Sequence, residues 1–422
     1  MSRDSWRATL RWPGRVGKQC VLVNQAIFLV GGKGTRLGDL TRSTPKPLLE
    51  IAPGLRFLDV ILEEAARRGF TDIVLLAGHL GDQVEAAYQG RRFYEATVRV
   101  VREEEPQGTG GALRFAAGQL APWFLMSNGD SLFDFNLRDL VLPTGSHVLG
   151  RVALREVPDP ARYGAVTVAD GRVTQFLEKN PELKGPALIN GGVYLLSRDV
   201  LSFIDGPCSI EQDIFPKLAV ADALEGKAYD GYFLDIGLPD TYAQARAEIP
   251  QRRLRPAAFL DRDGTLNVDE GYTHKPGDLR WTRSAIAAVK RLNEAGYYTL
   301  VVTNQAGVAR GYYGEGEVHA FHAEMRRQLA EFGAWIDAFY ICPFHKDGVV
   351  DAYTIADHPD RKPNPGMILR AMTEWPVRRQ GSFVIGDSEL DMSAAAAAGL
   401  PGYRFEGGDL LELVERQICA KT

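Results

Sequence analysis

Short runs of β-forming residues alternate with amphipathic helical stretches along both halves of this sequence. In the first half, residues 26–30, 72–77 and 123–126 are predicted strands, and residues 57–68 are a predicted helix with its apolar side chains on one face. This alternation is typical of βαβ units, because parallel strands need a helical crossover between them. The sequence therefore predicts an α/β fold with a mainly parallel sheet flanked by helices.

The second half repeats the pattern and predicts a second unit of the same class. Residues 257–260, 298–302 and 383–385 are predicted strands, and residues 284–295 are a predicted helix with Ser284 as its N-cap. A chain of 422 residues exceeds what one hydrophobic core usually supports, so we expect two domains.

The polar, proline-flanked stretch ahead of the strand at 257 marks the predicted domain boundary. We expect a loosely ordered leader at 1–20, a first domain at 21–250, a linker at 251–256 and a second domain at 257–422.

Composition excludes several classes of partner. The chain has 49 basic and 54 acidic residues, a net charge of −5, which argues against nucleic-acid or anionic-membrane binding. No apolar stretch approaches the roughly eighteen residues of a membrane span. The four cysteines are scattered, which favours a reducing compartment, so we expect a cytoplasmic protein. The oligomeric state is left open.

A glycine-rich loop, GGKGTRL at 31–37, directly follows the first predicted strand. Glycines there let backbone N–H groups approach a polyphosphate where a Cβ would clash. Arg36 adds a guanidinium fork for phosphate oxygens.

The longer segment GGKGTRLGDLTRSTPKPLLEI at 31–51 resembles the signature of the sugar-1-phosphate nucleotidyltransferase family, and the likeness covers about residues 21–250. It continues through QGTGGA at 107–112, NGD at 128–130, EK at 178–179, NGGVY at 190–194 and DIG at 235–237. It implies a Rossmann-like nucleotidyltransferase fold.

This resemblance also implies roles for individual residues. The nucleoside triphosphate contacts are Gly31, Gly32, Gly34, Thr35, Arg36 and Gly110. The sugar-phosphate contacts are Lys46 and Lys179, and the sugar-hydroxyl contacts are Glu178 and Asn190. Arg36 and Lys46 are implied to take part in catalysis, and Asp130 and Asp235 to bind Mg²⁺. The chemistry agrees, because nucleotidyl transfer brings two anions together and needs cations to offset their repulsion.

Two aspartates, Asp261 and Asp263, follow the predicted strand at 257–260. Their i, i+2 spacing puts both on one side of an extended chain, at the edge of an α/β sheet where ligands bind. Because neighbouring carboxylates repel, the pair suits either a metal site or a division into acid and base.

DRDGT at 261–265 resembles the first motif of the haloacid dehalogenase (HAD) phosphatase superfamily. The other motifs follow in order, with Thr303-Asn304, Lys362 in RKPNPGM, and Gly386-Asp387 with Asp391. Within that superfamily, residues 256–405 most resemble the D-glycero-D-manno-heptose 1,7-bisphosphate phosphatases, which are related to histidinol phosphatases. A HAD-like Rossmannoid fold is implied.

On this resemblance, Asp261 is the nucleophile and Asp263 the acid and base, while Thr303 and Lys362 stabilise the phosphoryl oxygens. The implied Mg²⁺ ligands are Asp261, the backbone carbonyl of Asp263, and Asp387. The implied or candidate substrate contacts are Asn304, Arg310 and Arg361, the two arginines for a second phosphate.

The phosphatase group often carries a zinc loop, but this sequence departs from it. The remaining candidate ligands are Cys342, His345, His358 and Asp360. This set is incomplete, so zinc is doubtful, and we expect packing of Phe344 and Tyr353 to hold the loop. His319 and His322 share a helix face and are expected to be solvated.

Together the two halves predict a bifunctional enzyme of nucleotide-heptose biosynthesis. The phosphatase would leave a heptose 1-phosphate, and the transferase would join it to a nucleotide, with GTP and an α-anomer favoured by the resemblance. Two alternatives stay open: another sugar, such as mannose or glucose, with a phosphatase of different specificity, such as a histidinol phosphatase-like one, and a nucleotide-sensing regulator with decayed catalysis.

Overall fold

The computed structural model describes residues 22–160, 165–177 and 185–419. The predicted leader and two predicted substrate contacts, Glu178 and Lys179, lie outside these ranges.

The strands, in chain order, are β1 Gln25–Leu29, β2 Glu50–Ala52, β3 Leu55–Arg56, β4 Asp72–Ala77, β5 Arg92–Phe93, β6 Ala96–Arg102, β7 Trp123–Asn128, β8 Ser131–Asp134, β9 Gly150–Val157, β10 Ala165–Ala169, β11 Arg172–Leu177, β12 Ala187–Ser197, β13 Leu224–Ala228, β14 Tyr232–Asp235, β15 Ala257–Leu260, β16 Tyr298–Asn304, β17 Ala338–Cys342, β18 Phe383–Gly386 and β19 Gly402–Arg404. The α-helices are α1 Phe57–Arg67, α2 Gly81–Tyr88, α3 Gly108–Phe115, α4 Leu137–Leu140, α5 Phe215–Val220, α6 Pro239–Arg252, α7 Ala285–Glu294, α8 Ala306–Ala309, α9 Glu315–Ala330, α10 Gly366–Glu374, α11 Glu389–Ala397 and α12 Leu410–Cys419. Among the described residues, no helix is both long and apolar enough to cross a membrane.

The first domain is built on a ten-stranded sheet in the order β10-β11-β13-β9-β12-β7-β1-β4-β6-β5. Its centre, β7-β1-β4-β6, is parallel, and β12 joins it antiparallel to β7. The central strand β1 is buried on both faces, because α1 lies on one side of the sheet and the segment around α3 and α5 on the other. The predicted apolar face of α1 is buried, which confirms that helix.

The second domain has a five-stranded, wholly parallel sheet in the order β17-β16-β15-β18-β19. Alternate residues of β15 point to opposite layers, with Leu260 packing beside α7, α9 and α12 and Phe259 beside α10. Both units are therefore α/β with helices on the faces of their sheets, as predicted.

Two local predictions were wrong. Ser284 does not cap α7 through its side chain; it has a φ of 61°, and its hydroxyl donates to Asp409 at 3.0 Å instead. His322 is not solvated, because its ring stacks on Phe339 at 4.0 Å and is 4% exposed.

The two domains contact each other at the amino-terminal ends of their strands. The buried Arg67, at the end of α1, pairs with Asp337, just before β17, at 3.2 Å. Gly69 packs so closely on Trp335 that an added Cβ would lie 2.0 Å from the indole ring. The guanidinium of Arg138 lies 4.4 Å from the same ring.

The connection between the domains is short and fixed. Helix α6 ends at Arg252 and β15 begins at Ala257, so the connecting residues fall within the predicted linker at 251–256. Arg253 and Arg255 pair with glutamates of α1 at 2.6 and 2.9 Å. These pairs tie the connection to the first domain.

Candidate active sites

The glycine loop leaves the carboxyl end of β1 and needs glycine at two positions. A Cβ on Gly31 would lie 2.9 Å from the backbone nitrogen of Gly78, because the chain passes the end of β4 there. Gly34 has a φ of 61°, which favours glycine. Gly32 and Thr35 are exposed on the loop and open to a ligand.

Beside the loop, Lys46 lies between two aspartates. Its ammonium group is 2.7 Å from Asp130, which follows β7, and 4.0 Å from Asp235, which ends β14. Asp235 is held by the backbone N–H of Gly237 at 2.6 Å and the hydroxyl of Ser131 at 3.1 Å. Lys46 is 6% exposed, so this cation is fixed rather than solvated.

Arg36 joins the same group. A Cβ on Gly237 would lie 2.4 Å from an Asp235 oxygen and 3.1 Å from a guanidinium nitrogen of Arg36. Among the described residues, Arg36 has no hydrogen-bond or ion-pair partner, so its guanidinium remains available to an anion. The fold thus brings together Arg36, Lys46 and both predicted Mg²⁺ ligands, and two carboxylates sharing one lysine form a set that suits a divalent cation.

Two other predicted contacts in the first domain are already engaged. The N–H of Gly110 donates to the carbonyl of Cys208 at 2.9 Å, so it is not available to a phosphate. Asn190 donates to Tyr194 at 2.9 Å and accepts from the N–H of Gly192. A sugar hydroxyl would have to share these Asn190 atoms.

In the second domain, Lys362 is the centre of a buried ionic cluster. Its ammonium group donates to Asp261 at 2.7 Å, to Asp391 at 2.5 Å and to the carbonyl of Val302 at 3.0 Å. Asp261 directly follows β15, and Asp391 lies in α11. Parallel strands end at this one edge, which is why residues distant in sequence meet here.

Carboxylate oxygens of Asp261, Asp387 and Asp391 lie within 4.8 Å of one another. Burial raises the pKa of Asp261 to about 7 and also raises the pKa of Asp387, and the neighbouring carboxylates add to both effects. Lys362 alone cannot balance three carboxylates, so the cluster fits a divalent cation. Asp391 was not among the predicted site residues, although it belongs to the motif that begins at Gly386.

Four hydrogen bonds fix Asp263. Arg262 donates to both of its oxygens, at 3.0 and 2.8 Å, and Asn267 and Gln305 donate at 3.1 and 2.9 Å. Sequence reasoning missed these three partners, because donors on neighbouring loops leave no pattern in the chain.

The side chain of Asn304, a predicted substrate contact, is hydrogen-bonded to the backbone of Lys362. Its amide donates to the carbonyl of Lys362 and accepts from the N–H of Lys362, both at 3.1 Å. Asn304 therefore holds the loop that carries the lysine. Thr303, near the end of β16, is 1% exposed and accepts a hydrogen bond from Gln305 at 2.9 Å. It directly follows Val302, whose carbonyl accepts from Lys362.

Arg310 and Arg361 lie near each other. Burial lowers the pKa of Arg361, and the positive charge of Arg310 adds to this effect. Arg361 donates to the carbonyl of Phe344 at 3.0 Å, and the buried Nε of Arg310 has no hydrogen-bond partner among the described residues. In the part of the chain that the structure describes, neither guanidinium group is paired with a carboxylate, so both positive charges are available to an anion.

Two of the four candidate zinc residues, His358 and Asp360, have other partners. Asp360 pairs with Arg370 at 2.5 Å, and the ring of His358 stacks on Phe344 at 3.9 Å. Phe344 also packs against Tyr353 at 5.8 Å, as expected for a loop held by aromatic packing. The expectation that this domain works without zinc stays a prediction, which metal analysis of the purified protein can test.

Comparison with known families identifies the first domain. The family described as nucleotidyl transferase matches residues 25–252, more than half of the chain. The chain belongs to the nucleotidyl transferase family. A relative from Arabidopsis thaliana, named probable mannose-1-phosphate guanylyltransferase 2, is 36% identical to this nucleotidyl transferase over 231 residues, covering 52% of the chain and 63% of the relative.

The second domain carries a further family match. The family described as HAD-hydrolase-like matches residues 360–409. A relative from Rhodopseudomonas palustris, named D-glycero-beta-D-manno-heptose-1,7-bisphosphate 7-phosphatase, is 52% identical over 165 residues, covering 39% of this nucleotidyl transferase and 91% of the relative. The second domain belongs to the family of that phosphatase, so the chain is a bifunctional enzyme.

A solved structure is similar to the first domain. The crystal structure of HddC from Yersinia pseudotuberculosis has a TM-score of 0.49 and 28% identity to this nucleotidyl transferase, covering 54% of the chain and all of that structure.

Proposed function

We propose that this enzyme removes the 7-phosphate of D-glycero-D-manno-heptose 1,7-bisphosphate and then transfers GMP from GTP to the resulting heptose 1-phosphate. The observation that carries the first step is the pair of positive charges on Arg310 and on Arg361, which directly precedes Lys362 in the chain, because such a pair suits a substrate with two phosphates. The phosphatase relative at 52% identity is named for such a bisphosphate.

In the phosphatase step, an Asp261 oxygen attacks the phosphorus of the 7-phosphate and the bond from phosphorus to the sugar oxygen breaks. Asp263 gives its proton to that oxygen. Asp263 then takes a proton from water, whose oxygen attacks the aspartyl-phosphate and releases inorganic phosphate and Asp261. Lys362, 2.7 Å from Asp261, stabilises the charge on the phosphoryl oxygens.

In the transferase step, an oxygen of heptose 1-phosphate attacks the α-phosphorus of GTP and pyrophosphate leaves. The glycine loop and Arg36 bind the triphosphate, and Lys46 binds the sugar phosphate. Mg²⁺ would be held by Asp130 and Asp235 here, and would offset negative charge on the phosphates. In the phosphatase it would be held by Asp261, the backbone carbonyl of Asp263, and Asp387.

The nucleotide and the anomer are the finer parts of the proposal. GTP is supported by the guanylyltransferase relative at 36% identity. The resemblance favoured the α-anomer, whereas relatives at 52% and 41% identity carry β in their names and one at 38% carries α. Both anomers therefore belong in the test.

Mannose 1-phosphate is a second candidate for the transferase, because the guanylyltransferase relative carries that sugar in its name. With mannose 1-phosphate as the substrate of the transferase, the heptose 1-phosphate made by the phosphatase would not be used by the other domain. A regulator with decayed catalysis is disfavoured by the intact cluster around Lys362.

The test supplies each anomer of heptose 1,7-bisphosphate with Mg²⁺ and, in turn, GTP, ATP, CTP or UTP, and identifies products by mass. We expect GDP-heptose, phosphate and pyrophosphate. The Asp261→Asn variant is the control and should form GDP-heptose only from supplied heptose 1-phosphate. Product from mannose 1-phosphate but not from heptose 1-phosphate would overturn the proposal.

A further inference from the structure

We infer that Gln305 is a positioning residue that orients two groups of the phosphatase at once, an inference that rests on the proposed function. Its side chain is 1% exposed, at the carboxyl end of β16. Its amide nitrogen donates to Asp263 at 2.9 Å and to the hydroxyl of Thr303 at 2.9 Å. One side chain therefore holds both Asp263, the proposed general acid and base, and Thr303, the proposed hydrogen-bond donor to the phosphoryl group.

The polarity of these bonds follows from the chemistry of the amide. The nitrogen has two hydrogens and both are used, while the amide oxygen accepts from the hydroxyl of Tyr313 at 3.0 Å. Because Thr303 accepts a hydrogen bond from Gln305, its own hydroxyl hydrogen is left for a phosphoryl oxygen. Tyr313 in turn stacks on His274 at 4.3 Å. The orientation of the amide is thus fixed from the loop that carries Tyr313.

Two substitutions of similar volume separate bond polarity from packing. Gln305→Leu removes both donors, and misplacement of reacting groups lowers rates by up to about a hundredfold, so we expect kcat of the phosphatase to fall about tenfold. Gln305→Glu also turns the Thr303 hydroxyl toward the new carboxylate and repels Asp263, so its kcat should fall about a hundredfold. In both variants we expect KM within about threefold of wild type and unchanged transferase activity.

Tyr313→Phe tests the same inference with a smaller change, and Tyr312→Phe, at the exposed neighbour, is its matched control. Without the Tyr313 hydroxyl, the side-chain amide of Gln305 is free to rotate by 180°. We therefore expect kcat of the phosphatase to fall about threefold in Tyr313→Phe and to stay at the wild-type value in Tyr312→Phe. The inference is overturned if the phosphatase kcat of Tyr313→Phe equals that of Tyr312→Phe, or if the kcat of Gln305→Glu is no lower than that of Gln305→Leu. A wild-type enzyme without phosphatase turnover would instead contradict the proposed function.

A different observation, the placement of the two sites, carries a second inference. We infer that the heptose 1-phosphate formed by the phosphatase passes through bulk solution before it reaches the transferase. The domains join at the amino ends of their parallel strands, where Arg67 pairs with Asp337 and Arg68 donates to the carbonyl of Asn293 at 3.3 Å. These residues precede β4, β17 and β16.

Both sites lie at the other ends of the strands. The glycine loop follows β1 and Asp261 follows β15. These strands have five and four residues, and at about 3.3 Å per residue each one places its site roughly 15 Å from the joint, at the end that faces away from it. A sugar phosphate bound at one site cannot reach the other site past both sheets, and the buried Arg67–Asp337 ion pair and the Arg68 hydrogen bond at the joint oppose reorientation of the domains.

An isotope-dilution experiment tests release of the intermediate. Labelled heptose 1,7-bisphosphate, GTP and an excess of unlabelled heptose 1-phosphate are supplied to the full chain, and we expect the label in GDP-heptose to be diluted to the ratio of the bulk pool. Label retained above that ratio would overturn the inference. Failure to form GDP-heptose from heptose 1-phosphate alone would contradict the proposed function instead.

Mixing two inactive variants gives an independent readout. Asp261→Asn removes the phosphatase activity and Asp130→Ala removes the transferase activity. When each variant is present at the concentration used for wild type alone, their mixture contains as many working sites of each kind as wild type does. If the intermediate is released, this mixture should make GDP-heptose from the bisphosphate as fast as wild type. A mixture at least about threefold slower than wild type would overturn release into solution.

Discussion

Replacing Lys362 with methionine should destroy the phosphatase and weaken its domain. Lys362 is 4% exposed and its ammonium group contacts Asp261 and Asp391 at 2.7 and 2.5 Å. Removing one partner of a buried ion pair costs about 3–5 kcal/mol, because the other charges stay buried without compensation. Losing a donor to the transferred phosphoryl group lowers kcat by a further factor of about 10²–10³.

The assay follows phosphate release, and guanidinium unfolding gives the free energy of unfolding. Lys346→Met, the same substitution at an exposed lysine, is the matched control and should change kcat by less than about twofold and stability by less than about 0.5 kcal/mol. A Lys362→Met enzyme with kcat within threefold of wild type, or with a stability loss below about 1 kcal/mol, would refute the reasoning.

A double variant separates the two effects of this lysine. In Lys362→Met with Asp391→Asn, one buried carboxylate is gone, so part of the lost stability should return. Phosphatase activity should stay lost, because the donor is still missing. Recovery of activity without recovery of stability would contradict this assignment.

Three further outcomes are expected. Asp261→Asn should abolish phosphate release but leave nucleotidyl transfer nearly intact, and Asp130→Ala should do the reverse; loss of both activities in either folded variant would indicate one composite site. Arg310→Met should raise KM for heptose 1,7-bisphosphate by about tenfold or more and change KM for a monophosphate by less than about twofold, as steady-state kinetics will show. Zinc chelation followed by Mg²⁺ resupply should leave phosphatase activity unchanged, whereas one tightly held zinc at Cys342 whose removal destroys activity would overturn the expectation.

The parts predicted from sequence are those set by local patterns. The strands at 72–77 and 257–260 have the predicted bounds, because short apolar runs between turns define them locally. Asp261 and Asp387 lie together because each directly follows a strand of one parallel sheet and carboxyl ends share an edge, and Lys362 reaches the same edge from the loop before α10.

The parts that could not be predicted depend on contacts between distant segments. His322 is buried because Phe339 of β17 covers its ring. Asn304 is engaged because the Lys362 loop folds back onto it. The burial of Arg138 against Trp335 of the other domain likewise depends on how the two sheets join, which no local pattern in the chain specifies.

The stoichiometry of a single reaction mixture shows most directly whether the two domains act in sequence. With heptose 1,7-bisphosphate, GTP and Mg²⁺, we expect one phosphate and one pyrophosphate for every GDP-heptose formed, with heptose 1-phosphate appearing first. Phosphate released without pyrophosphate, or pyrophosphate released while the 7-phosphate remains on the sugar, would contradict consecutive action of the two domains.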